Sequence, residues 1–228
     1  MLGLGNLLSR GKGLGFPNQF SFEFDGSNDY LEIADNGGLG FADGQAFSAS
    51  IWFQTSDATS EMYLFDNRSG GGTTEGFSAL LDGNATNYLG YIADGSSSAT
   101  VTNTTDYHDG NWHHFAFTWD GTDTITSYID GSSVGTATQA LGEVDGGALY
   151  IGKYGGGSSS YFNGQLDEFA VWSVALSASD IAKIASKPLN LSLASAYATD
   201  RTSSLKLWLR AGDKGQPEKN PSITRSDY

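Results

Sequence analysis

Short runs of alternating apolar and polar residues, each closed by a turn dipeptide, constrain this chain more than any other feature in it. FSASIWFQT places Phe47, Ala49, Ile51 and Phe53 on one side of an extended strand. SEMYLFDN, EGFSALLDG, NYLGYIADG and ATVTNTT continue the series, and several runs end in Asp followed by Gly or Asn. Those residues favour tight turns because they tolerate left-handed backbone. Short strands at this spacing predict an all-β, antiparallel two-sheet sandwich rather than βαβ units. The 31 glycines, 13% aromatic and 17% charged residues fit that class.

One helix is predicted near the C-terminal side. Ser177 can cap it, with Asp180 three residues on, a variant of the capping box. ASDIAKIAS follows, and Pro188 marks the end. The chain divides into an N-terminal arm over 1–18, a domain over 19–187 and a C-terminal extension over 188–228. The extension contains LKLWLRAGDK, in which Leu205, Leu207 and Leu209 alternate with Lys206, Trp208 and Arg210. This strand is expected to pair with its own sheet edge or with that of a neighbouring copy.

Charge is unevenly spread. The net formal charge is -14, yet residues 13–182 hold 22 acidic residues against two basic ones, Arg68 and Lys153. Such a body repels nucleic acid and anionic membranes. Both ends are basic, so Arg10, Lys12, Lys206, Trp208 and Arg210 are candidates for docking on a protein scaffold or on neighbouring copies. No apolar run reaches membrane-spanning length, and the first residues lack the pattern of a signal peptide. The absence of cysteine excludes disulfides and thiol chemistry.

The stretch DGNWHHFAFTWDGTDTITSYIDG invites a metal or catalytic reading, because His113 and His114 are adjacent and acids surround them. The pleat sends the two side chains to opposite faces, His113 with Phe115, Phe117 and Trp119. The third histidine, His108, sits in a turn, and no HxH or HExxH spacing occurs.

Four pieces in order, FDGSNDYLEI, FSASIWFQT with its core tryptophan Trp52, DGNWHHFAFTWDG…SYIDG and FNGQLDEFAVWSVALSASDI, resemble the laminin G-like jelly roll of the concanavalin A-like lectin/glucanase superfamily. The resemblance covers roughly residues 20 to 186. It implies a jelly-roll sandwich, and it implies one structural calcium between the opening hairpin and the closing strand, held by Asp25, Asp29 and Asp167. The glucanases of this superfamily carry Glu-x-Asp-x-x-Glu; here EVDGGA has Ala148 at the last position, so no acid/base pair can form and the chain is expected not to be an enzyme. A glycan-binding site would use Asn67, Arg68, Tyr154 and Tyr161 from two Gly-rich loops. Fold, charge and termini together suggest a structural or adhesion module on a virion or particle surface, as in a phage structural protein. A carbohydrate-binding lectin module is the alternative.

Overall fold

The alternating runs resolve into two antiparallel sheets packed face to face. The computed structural model describes residues 8–9, 20–34, 39–83, 86–186, 202–211 and 223–226. The first sheet contains β1 (Leu8–Ser9), β2 (Ser21–Asp25), β4 (Phe47–Gln54), β9 (Trp112–Trp119), β10 (Thr124–Ile129), β11 (Ser132–Thr138), β13 (Asn163–Trp172) and β14 (Leu205–Leu209). Its order is β1-β2-β13-β4-β9-β10-β11, with β14 also on β13. The second contains β3 (Tyr30–Ile33), β5 (Glu61–Asp66), β6 (Gly76–Asp82), β7 (Asn87–Ala93), β8 (Ser98–Asn103), β12 (Leu149–Ile151) and β15 (Ile223–Ser226). Its order is β15-β3-β12-β5-β6-β7-β8.

The inner faces meet in one core. Phe47, Ala49, Ile51 and Phe53 of β4 lie beside Phe115, Phe117 and Trp119 of β9, opposite Phe65, Phe77 and Ile92. Phe41 stacks on Phe47 with ring centroids 4.0 Å apart. Full burial of each such side chain contributes about 1.5–3 kcal/mol.

The outer face of the first sheet is covered by α1 (Ala178–Ser186), whose Ile181 and Ile184 pack on Trp52, Ala116, Tyr128, Ala170 and Trp172. The capping box is reciprocal. Asp180 N donates to Ser177 Oγ at 3.2 Å, and Ser177 N donates to Asp180 Oδ2 at 3.3 Å. Trp52 is a core residue as expected, in the smaller of two clusters. It lies one residue out of phase with Ile51 and Phe53, so the pleat turns it away from the central core and under the helix.

Strand β13 organises the remaining edge. β4 lies along one side of it over Gln165–Trp172. The other side is shared: β2 pairs with Asn163–Leu166 and β14 pairs with Phe169–Trp172. Leu207, Leu209 and Ala211 enter the main core. β1 pairs with β2 and β15 with β3, so both terminal segments add to sheet edges. Arg10, Lys12 and most of the 1–18 arm lie outside the described residues. Among the described residues no helix covers the outer face of the second sheet, and no helix is long and apolar enough to cross a membrane.

Candidate binding face

Two bulges create the chemistry of that uncovered face. In a plain strand, residues three apart point to opposite faces. In β7 the pairing shifts between Tyr88 and Tyr91, so both rings emerge outside while Leu89 and Ile92 stay in the core. Gly90 permits this with φ +99, and a Cβ there would meet Ser127 Oγ at 2.8 Å across the sandwich. β5 does the same: the shift between Tyr63 and Phe65 places Tyr63 and Asp66 outside together. A groove of about 180 Å³ results, lined by Glu61, Tyr63, Arg68, Ser78, Leu80, Tyr88 and Tyr91. Tyr88 is 40% exposed, an unusual position for a large ring.

Arg68 forms the floor of the groove. Its Nε lies 3.0 Å from Asp66 Oδ1, a carboxylate with no exposed surface. Its guanidinium is 4.4 Å from the Tyr91 ring centroid, and it donates to the Tyr63 hydroxyl at 3.3 Å. Burial pushes the Asp66 carboxyl above its ordinary value, against the pull of Arg68. Burial also pushes the Tyr63 phenol up to about 12, so it stays protonated. The Tyr154 ring is 5.2 Å from that of Tyr63 and extends the wall.

A second aromatic cluster lies on the neighbouring strands. Lys153 Nζ is 4.5 Å from the Tyr30 ring centroid and 4.3 Å from that of Tyr150. Tyr161 flanks Tyr30 at 6.5 Å. Tyr150 donates to Glu32 Oε1 at 3.4 Å. Register joins the clusters, because Tyr150 stands opposite Asp66 across the β12–β5 pair.

Of the four residues expected at a glycan site, the structure brings Arg68 and Tyr154 together and seats Tyr161 in the adjacent cluster. Asn67 is a correction. It is fully buried, its Oδ1 accepts from Phe77 N at 2.6 Å, and its carbonyl accepts from Gly147 N at 2.7 Å, so it fixes loops and cannot reach a ligand. Sequence reasoning missed Tyr30, Tyr63, Tyr88, Tyr91, Tyr150 and Lys153. Their signal was available in part: Tyr30 already falls on the polar side of its strand.

The residues expected to hold calcium do not converge. Asp25 Oδ1 accepts from Ser27 N at 2.8 Å, and Asp29 Oδ2 accepts from Asp25 N at 3.1 Å, both within an exposed turn. Asp25 pairs with Asn163, and Asp167 is buried four residues further along β13, about 13 Å away at strand spacing. Burial and the adjacent Glu168 push the Asp167 carboxyl well above its ordinary value, and its Oδ1 accepts from Glu168 N and Ala211 N at 2.8 and 3.0 Å. Strand register thus keeps this interior acid apart from the two turn carboxylates. Among the described residues no group of three or more His, Cys, Asp or Glu is arranged to hold a metal.

The docking candidates also land elsewhere. Trp208 Nε1 donates to Glu168 Oε2 at 2.5 Å and Arg210 Nε to Glu168 Oε1 at 2.9 Å. Both therefore grip their own chain, while Lys206 is exposed. Glu168 sits at the β13 bulge with φ 54, which swings its side chain towards β14.

The adjacent histidines are divided by the pleat. His113 is held between Asp130 Oδ2 at 2.8 Å and Asp109 Oδ1 at 3.2 Å, and the Asp130 hydrogen bond raises its pKa. His114 is fully buried 5.2 Å from the Trp52 ring, with neither ring nitrogen hydrogen-bonded, and burial lowers it to about 4. An NMR titration of the imidazole protons should put His113 above 6.5 and His114 near 4. Two coincident titrations near the ordinary value would contradict the partition.

With the sandwich and its open tyrosine face in view, the wider relationships are plain. Residues 25–182 match the laminin G-type family model described as the concanavalin A-like lectin/glucanases superfamily, and the chain belongs to that family. Among curated proteins nothing matches it. It is similar in fold to a Bacteroides ovatus protein provisionally classed as carbohydrate binding, with a TM-score of 0.60 and 19% identity over 91% of this chain and 60% of that one, under two thirds of the latter's length. Domain 4 of an extracellular arabinanase from Geobacillus stearothermophilus, solved with arabinotriose, has a TM-score of 0.56 and 18% identity over 78% and 80%. A heptameric pentraxin from Limulus polyphemus has a TM-score of 0.52 and 21% identity over 72% and 80%. At these identities the likeness concerns the fold.

Proposed function

We propose that this chain is a non-catalytic glycan-binding module whose ligand lies across the tyrosine face of the second sheet. The observation that carries this reading is the groove of about 180 Å³ between β5 and β7, where three tyrosines and Arg68 meet the acid Glu61. Sugar rings offer C–H faces that pack on aromatic rings and hydroxyls that suit flanking acids and amides. The arabinotriose bound by one fold relative and the carbohydrate-binding description of another support it. A glycan array tests it. Tyr88→Ala should weaken any hit about tenfold, with the melting temperature unchanged, because Tyr88 is the most exposed ring. A folded protein that binds nothing on the array rules the reading out.

A second reading places the module on a virion or other particle surface, anchored by its ends to a scaffold or to neighbouring copies. It is favoured by the addition of β1 and β15 to the adjacent strands β2 and β3, since extended ends that add to sheet edges can also do so between copies. Removal of residues 1–18 should then prevent incorporation into the particle, and normal incorporation of that truncation would refute the anchor.

A further inference from the structure

The body of this chain is acidic, and its few cations are not scattered. Between residues 13 and 182 the basic residues are Arg68 and Lys153, and both lie on the open tyrosine face. Their circumstances differ. Arg68 is neutralised by the buried Asp66 at 3.0 Å. Lys153 is only 8% exposed, and among the described residues it forms no ion pair. Its ammonium rests against the π faces of Tyr30 and Tyr150. Glu32, the acid whose charge acts on it, makes no ion pair with it and accepts from the Tyr150 hydroxyl.

A buried cation without a counter-charge is costly, because cation–π contacts return only part of what desolvation removes. Burial accordingly lowers the Lys153 pKa, and Glu32 only partly opposes it. An anion arriving between the two rings would supply the missing charge and strengthen the ammonium's own charge state. Elsewhere the body would repel the same ligand, so the charge pattern also selects where it lands.

We infer that Lys153, caged by Tyr30 and Tyr150, seats an anionic substituent of the bound glycan, either a uronate carboxylate or a sulfate ester. This rests on the glycan reading above. The ligand class is therefore an acidic polysaccharide, with its sugar rings reaching towards the Tyr63–Tyr91 groove.

Two matched pairs of oligosaccharides test this by calorimetry: oligogalacturonate against its methyl ester, and a sulfated galactan oligosaccharide against its desulfated form. The acidic member of at least one pair should bind tenfold or more tightly, and the pair that responds distinguishes carboxylate from sulfate. Lys153→Gln should reduce that preference to twofold or less, while Lys153→Arg should keep it. The preference should also shrink at high salt. Equal binding of neutral and acidic members would overturn the anion seat and leave the glycan reading standing. A preference that survives Lys153→Gln would do the same. No binding by any of the four would remove both.

Discussion

A chain that ends before residue 202 is expected to lose its cooperative melting transition. The reason lies in what β14 contributes. Leu207 and Leu209 are buried in the main core at 1% and 4% exposure, worth about 1.5–3 kcal/mol each. Trp208 and Arg210 satisfy Glu168, and Ala211 N satisfies Asp167. Without them two adjacent buried acids would lose partners, at about 1–3 kcal/mol each. The total approaches the roughly 5–15 kcal/mol that holds a typical domain together. Leu207→Ala is the graded version and should cost about 2–5 kcal/mol in urea denaturation. A truncation that melts within a few degrees of the full chain would show that β14 is an accessory.

The second large effect is a loss of stability in mild acid that is traceable to one residue. Folded His114 accepts a proton only near pH 4, whereas in the unfolded chain it does so near 6.5. The unfolded state therefore binds the proton first, and stability contributed by the neutral imidazole is lost as pH falls below 6.5. The loss amounts to about 2 kcal/mol at pH 5 and about 3 kcal/mol at pH 4. His113 has the opposite sign: its pKa is raised, so its contribution is present in acid and fades as pH rises through the folded value. Because neither His114 nitrogen has a partner, an apolar ring of similar shape should replace it at little cost. His114→Phe should thus equal the wild type at pH 7.5 within about 1 kcal/mol and exceed it at pH 5. Parallel stability curves for the two proteins between pH 7.5 and 5 would refute the assignment.

Strands were legible because their chemistry is local. FSASIWFQT and NWHHFAFTW show the core parity directly, and the Ser177–Asp180 cap announces the helix. What stayed hidden depends on departures from regularity. The bulges in β5 and β7 reverse the parity of Tyr63 relative to Asp66 and of Tyr88 relative to Tyr91, so simple alternation cannot assemble the tyrosine face. Trp52 was visible as a buried aromatic but not as the helix's partner, because parity does not say which face a helix will cover. Asn67 and Arg68 look alike as loop residues, and only the packing shows one to be a loop anchor and the other the floor of a groove. The separation of Asp25 and Asp29 from Asp167 was hidden as well, because strand register supplies it and motif order does not.

The shared edge of β13 has a consequence for how the chain is wired. β14 and β2 both run antiparallel to β13, and Ala211, two residues past the end of β14, faces the stretch of β13 just beyond the start of β2 at Ser21. They form one edge strand written in two pieces from distant parts of the sequence, a pairing of high contact order that slows folding. A circular permutant that omits β1 and β15 to run β14 into β2, and opens instead at the exposed Gly-rich loop after Tyr154, would make the two pieces one continuous strand.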